Sequence, residues 1–245
     1  MNKFIVIDGI ELVGKGVAIR AIASWAASKK MKVYDLLAEM RAARKDDLSE
    51  IPLYDELTGY DMIISAEPTY SGIGRVIRTE MIRKSSRIYS PVSIATAFSI
   101  DREVLYRRLL IDALKAGKII LQDRSFTTSL VYQPLTDGIS KDTIMGMPGN
   151  LLAIEHAPGL VIIPYADPFK LLSRYEERKG KVDNVIYETL EFQKKAQDIY
   201  LGKEFKELME SFGSRVVYVD NNPPKTIAEF EKDVIKVVES FLSEF

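Results

Sequence analysis

The stretch FIVIDGIELVGKGVAIR, Phe4 to Arg20, decides the fold. Phe4 to Ile7 is a short apolar run, the pattern of a strand buried on both faces. It ends at Asp8, and Gly9-Ile10-Glu11-Leu12-Val13-Gly14-Lys15-Gly16 follows with the spacing of a phosphate-binding loop. Gly9 and Gly14 let backbone N–H groups turn inward around phosphate oxygens. Lys15 adds a mobile cation, and the apolar run after it opens a helix whose positive end faces the same anion. One position departs from the pattern. Gly16 stands where a Ser or Thr would offer a hydroxyl to Mg2+.

Outward from this stretch, the same punctuation recurs. Apolar runs at Met62–Ala66, Ile119–Gln122, Leu160–Pro164 and Arg215–Val219 join Lys3–Asp8 as five expected strands. Helical patterns lie between them, near 15–29, 73–83, 92–116, 127–134, 168–178, 186–211 and 225–243. Short apolar runs alternating with helices predict an α/β fold, a parallel five-stranded sheet flanked by helices. Residues 1–245 are expected to form a single domain. Within it, 31–60 reads as an insertion with a possible short strand at Lys32–Leu37. Residues 136–158, rich in Gly and Pro, read as a long loop with room for a turn of helix. In a parallel sheet, ligands sit beyond the C-terminal strand ends, which directs attention to Asp8–Gly16, Glu67-Pro68, Asp123-Arg124 and Tyr165–Pro168.

Composition narrows the chemistry. There is no Cys and one His, His156, which argues against a zinc site or a Ser–His triad. The 34 basic and 35 acidic side chains nearly cancel, so no global field favours nucleic acid or an acidic membrane. No apolar run approaches the roughly 18 residues of a membrane span, and no secretory signal is expected at the N-terminus. A reducing, cytoplasmic setting is compatible with the missing Cys.

Four further motifs carry chemistry. Ile119-Ile-Leu-Gln-Asp123-Arg124 is an apolar strand ending in a carboxylate that can hold Mg2+ across from the phosphate loop, followed by a guanidinium that can fork onto a phosphate. Glu67-Pro68-Thr69 turns the chain into a Gly-opened helix bearing Arg75 and Arg78. Phe98 and Arg102, four apart, share a helix face and could stack on a base and grip a phosphate. Arg174 to Asp183 is a cationic segment broken by Gly180, suited to a lid at about 174–186.

Taken in order, these pieces resemble the thymidylate kinases among the P-loop nucleoside monophosphate kinases, across roughly residues 1–20 and 60–235. Phe4–Lys15 resembles that family's strand and P-loop, in which the acidic residue, here Glu11, meets the sugar 3′-hydroxyl. Glu67-Pro68-Thr69 resembles its Arg-Glu-Pro segment. Phe98–Arg102 resembles the helix whose Phe stacks on thymine and whose Arg binds the monophosphate. Asp123-Arg124-Ser125 and Ser129-Leu-Val-Tyr-Gln133 resemble its Asp-Arg-Tyr run and following helix. Tyr187 and Gln193 match a helix near the sugar and base. Gly16, Ala66, Leu12 and Ser125 depart from the family pattern, marking a divergent member.

The resemblance implies a P-loop NTPase fold and transfer of the ATP γ-phosphoryl group to dTMP. Gly9, Glu11, Leu12, Val13, Gly14, Lys15, Gly16 and Val17 would form the donor loop. Glu67, Phe98, Arg102, Tyr187 and Gln193 would form the nucleotide contacts. Lys15, Arg124 and the lid cations Arg178, Lys179 and Lys181 would stabilise the transferring charge, with Mg2+ on Asp123. The implied partners are ATP, dTMP and a second copy of the chain, with neither nucleic acid nor membrane. Gly16 and Ala66 leave two alternatives: a nucleotide-binding protein with little turnover, or a kinase for another nucleotide or nucleoside.

Overall fold

The computed structural model describes residues 2–42, 50–136, 138–171 and 189–245. Its centre is a parallel sheet, with β1 (Phe4–Ile7), β2 (Val33–Asp35), β3 (Met62–Ala66), β4 (Ile119–Asp123), β5 (Leu160–Tyr165) and β6 (Arg215–Asp220) in the order β2-β3-β4-β1-β5-β6. The strand that opens the P-loop thus lies inside the sheet, paired with β4 and β5. Register sets the site. Ile7 lies beside Asp123 and Ala66 beside the same Asp123, so the ends of β1, β3 and β4 finish level.

Alternation along the strands divides the core in two. Ile5, Ile7, Met62, Ile64, Ile119, Leu121, Leu160 and Ile162 face one side, where α1 (Lys15–Ser28) brings Ala18, Ile22 and Ala26. The C-terminal helix of that layer, Ile227–Leu242, adds Phe230, Val234, Val238 and Phe241. Those four lie three or four apart and form a stripe down the helix. Phe4, Val6, Ile63, Ile120, Val161 and Ile163 face the other side, against Leu105, Tyr106, Leu109, Leu110 and Phe126.

Two expectations are corrected. The sheet has six described strands rather than five, because Val33–Asp35 pairs with β3 at the sheet edge. The insertion continues into α2 (Leu36–Ala42), whose Leu36 and Met40 are buried. The 136–158 stretch is not a long loop. After α3 (Gly72–Val76), α4 (Pro91–Leu105), α5 (Ile111–Lys115) and α6 (Phe126–Tyr132), it holds α7 (Lys141–Met145) and α8 (Pro148–Glu155). Ser140 caps α7 by accepting from Thr143 N at 3.1 Å, and Pro148 sits in the first turn of α8, where its missing N–H costs nothing. Gly149 is there for contact. A Cβ on it would stand 1.8 Å from Ser99 O, and its N–H instead donates to Ser99 Oγ at 2.9 Å, so α8 lies directly on α4. The pattern predicted near 186–211 is described as α9 (Leu190–Leu201) and α10 (Lys203–Ser211), and Ile227–Leu242 is α11. Arg174, Arg178, Lys179, Lys181 and Tyr187 lie outside the described residues.

Candidate active site

One cavity of about 730 Å3 runs over the C-terminal ends of the strands. Glu11, Leu12, Gly14, Lys15, Gly16 and Val17 line it at one end, and Glu67, Pro68, Tyr70, Arg78 and Phe98 at the other. Asp123 and Arg124 lie among the lining residues as well.

The P-loop is held from below by Asp8, which is fully buried. Asp8 Oδ1 accepts from Gly9 N at 2.8 Å and from the Tyr200 hydroxyl at 2.9 Å. Thr128 Oγ1 donates to Asp8 Oδ1 at 2.8 Å, and Thr127 Oγ1 donates to Oδ2. A buried carboxylate persists when its lone pairs are filled in this way. Asp8 therefore ties the loop to α6 and α9. Gly14 has φ +108°, open to Gly, and hands over directly to Lys15 at the start of α1. Leu12 has φ +61°, a conformation that costs an L-residue energy.

Lys15 is buried, and its Nζ donates to Gly9 O at 3.1 Å and Ile10 O at 2.6 Å. Burial lowers its affinity for a proton, as does neighbouring Arg124, while Glu11, Asp123 and Asp8 oppose both. Arg124, itself at φ +64°, donates to Glu11 and, at 3.3 Å, to Gly9 O, and lies 3.6 Å from Asp8. Burial works against its charge, but Glu11 and the other acidic neighbours outweigh it, so the guanidinium stays charged. Asp123 ends β4 with a buried Oδ1 that has no hydrogen-bond partner among the described residues. No cluster of three His, Cys, Asp or Glu suited to a metal occurs among those residues.

At the opposite end, two consecutive residues of α4 hold the Glu67–Thr69 loop. Asp101 accepts from Thr69 N and Thr69 Oγ1, both at 2.7 Å. Arg102, 1% exposed, donates to Glu67 Oε2 at 2.7 Å, to Ser129 Oγ at 3.1 Å, and to Asn150. Gln122 completes the net, donating to Glu67 Oε1 at 3.0 Å. Arg102 is therefore engaged by protein groups here, and its expected grip on an acceptor phosphate stays a proposal. Its guanidinium is enclosed beneath the floor and does not line the cavity. Helical spacing placed Phe98 and Arg102 on one face, but Arg102 sits one turn deeper, where buried Glu67 needs a counter-charge.

Arg78 is the guanidinium on this wall. Its Nε donates to Pro68 O at 2.9 Å and Thr69 O at 3.1 Å, and it stacks 3.9 Å from the centroid of Tyr70. Gln193 is buried and accepts from Glu11 N at 2.7 Å, so it shapes the loop from behind. Gly9 and Val13 also shape the loop without lining the cavity. Sequence reasoning assigned no role to Arg20, Arg78, Thr128, Ser129, Gln133, Asn221 or Lys225, all of which line the cavity. For Ser129 and Gln133 a signal existed, since they lie one helical turn apart directly after Asp123-Arg124.

The sequence model of the thymidylate kinase family matches residues 53–233. A probable thymidylate kinase of Thermococcus onnurineus (strain NA1) is 28% identical over 244 residues, covering 96% of this chain and 97% of its own. A thymidylate kinase of Thermoanaerobacter sp. (strain X514) is 26% identical over 184 residues, covering 75% of this chain and 85% of its own. The fold is that of the crystal structure of thymidylate kinase from Ehrlichia chaffeensis, with a TM-score of 0.60 at 17% identity over 96% of this chain and 97% of that one.

Proposed function

The chain belongs to the thymidylate kinase family, and on that premise we propose how its residues divide the transfer of the ATP γ-phosphoryl group to dTMP, giving dTDP and ADP. The observation that carries the assignment of roles is that Lys15 and Asp123 line the same cavity as Arg78, Glu67 and Phe98. Phosphoryl transfer asks a protein for alignment and charge neutralisation more than for covalent chemistry, and a continuous cleft with cations at both ends meets that demand.

At the donor end, the loop amides and the start of α1 cradle the ATP phosphates, and Lys15 exchanges its two backbone carbonyls for phosphate oxygens. The residues present fit Mg2+ held mainly by phosphate and water: Asp123 Oδ1 is buried and unpartnered among the described residues, and Gly16 supplies no hydroxyl. Bound Mg2+ would neutralise charge on the β- and γ-phosphate oxygens. Arg124, fixed by Glu11 and Gly9 O, serves the transferring group from the middle of the cleft.

At the acceptor end, Phe98 stacks on the base, and Gln133, whose buried Oε1 has no partner among the described residues, reads its edge with Ser129. Arg78 takes the acceptor phosphate. Arg102 and Asp101 are positioning residues that hold Glu67 and Thr69. Arg178, Lys179 and Lys181 remain proposed lid cations by resemblance. No described helix is long and apolar enough to cross a membrane. We place the enzyme in the cytoplasm as a homodimer. Ile100 and Val104, exposed one turn apart on α4, offer an apolar strip that a second copy would cover.

Coupled ADP release with Mg2+, ATP and a panel of nucleoside monophosphates tests the assignment. dTMP is expected to give the highest kcat/KM. A faster acceptor with another base would overturn the thymidylate reading.

A further inference from the structure

Position 16 is exposed, yet it is not empty surroundings. A Cβ built on Gly16 would meet one side chain, Arg20, with Nη1 at 3.5 Å. The reason is helical geometry: Arg20 lies one turn along α1, and side chains on a helix lean toward its N-terminus over the residue four earlier. The guanidinium therefore covers Gly16, and both residues line the cavity beside Gly14, Lys15 and Val17.

Arg20 lines the cavity together with Lys15, and the positive end of α1 disfavours a further positive charge beside it. Among the described residues, Arg20 has neither a hydrogen bond nor an ion pair to offset this. Lys29, at the other end of α1, is by contrast paired with Glu239 at 3.4 Å. An exposed guanidinium with no partner among the described residues, on the wall of a cleft proposed to take a triphosphate, can turn to that anion.

We infer that Arg20 is a donor-phosphate residue that substitutes for the metal-anchoring hydroxyl absent at Gly16. This deepens, and rests on, the kinase reading of the cavity. The guanidinium lies within contact distance of a side chain at position 16 and can supply positive charge to the ATP phosphates. The donor affinity of this chain accordingly depends less on Mg2+ than a hydroxyl at position 16 would make it.

Calorimetric titration of ATP and of dTMP, each in EDTA and in Mg2+, tests this on the wild type, Arg20→Ala and Gly16→Ser. Arg20→Ala is expected to weaken ATP binding about tenfold in EDTA and less in Mg2+, since a charge-assisted contact of this kind is worth about one order of magnitude. Its dTMP affinity and melting temperature stay those of the wild type, because Arg20 is exposed and distant from the acceptor wall. Gly16→Ser is expected to increase the gain in ATP affinity that Mg2+ brings. Equal ATP affinities in EDTA for wild type and Arg20→Ala would overturn the inference while leaving the kinase reading intact. Parallel loss of ATP and dTMP binding in Arg20→Ala would show a merely structural residue and overturn it too. A wild type that binds no ATP in either buffer would sink the donor site and the inference together.

Discussion

The two ends of the cleft differ in how particular buried groups are balanced. At the acceptor end the charges beneath the surface are already matched: Arg102 to Glu67, Asn150 and Ser129, and Asp101 to Thr69. At the donor end Lys15 rests on neutral carbonyls, while Asp123 Oδ1 and Arg20 have no partners among the described residues. On the proposed assignment, the acceptor wall is held in place by its own buried contacts, whereas the donor end keeps groups that a bound triphosphate and its cation would balance.

The largest expected effect breaks the acceptor wall. Burial lifts the Glu67 carboxyl above its ordinary value, against the opposing pull of Arg102 and Gln122. A carboxyl raised in the folded state stabilises the fold below its unfolded value, and that contribution is lost as pH rises through the folded one. Arg102→Ala leaves burial unopposed by that guanidinium. It should cost about 3–5 kcal/mol near neutral pH, the penalty for an unpaired buried charge. The deficit should shrink as the solution is acidified, because folded Glu67, raised by burial, takes up its proton before the ordinary carboxyl range is reached. Urea unfolding at pH 8 and pH 5.5 measures this, and a deficit that does not change with pH would mean the wall does not depend on the Glu67 charge.

Next, Arg78→Ala should lower kcat/KM for dTMP about 100-fold, equivalent to about 2.7 kcal/mol, while leaving the KM for ATP nearly unchanged. Steady-state kinetics with each substrate varied in turn would reveal whether the loss falls on the acceptor alone. On the donor side, Tyr200→Phe removes one of the hydroxyls on Asp8 and should cost about 1.5 kcal/mol. Thermal melts should fall by roughly 3–6 °C. The KM for ATP should rise while that for dTMP holds, since Asp8 carries Gly9 N. The smallest effect is Leu12→Gly, which relieves a positive φ and should stabilise the fold by up to ~1 kcal/mol. A lower melting temperature would show that the Leu12 side chain contributes more than its backbone strain takes away.

Much of this frame was legible in the letters. Phe4–Ile7 and Ile119–Gln122 are continuous apolar runs ending in Asp, and such runs have few places to go other than the inside of a parallel sheet. The small edge strand Val33–Asp35 was harder, since it is only half-buried and too short to show a period. Pro148 and Gly149 read as loop punctuation because sequence alone does not tell a helix-starting Pro or a helix-contact Gly from a turn. The depth at which Arg102 lies was hidden for a related reason. Spacing reports which residues share a face, but not how deep in the core that face lies, and depth decides whether a guanidinium meets a buried carboxylate or a substrate. The Asp8 network was invisible because its hydroxyls come from Thr127, Thr128 and Tyr200, more than a hundred residues away.

The most direct test of the divided cleft is one pair of measurements on Lys15→Ala: dTMP-dependent ADP release with Mg2+ and ATP, and equilibrium binding of dTMP. Turnover is expected to fall by about three orders of magnitude, as for loss of a major charge-stabilising group, while dTMP affinity stays within about twofold of wild type. Undiminished turnover, or loss of dTMP binding together with turnover, would contradict a cleft whose two ends work by separate plans.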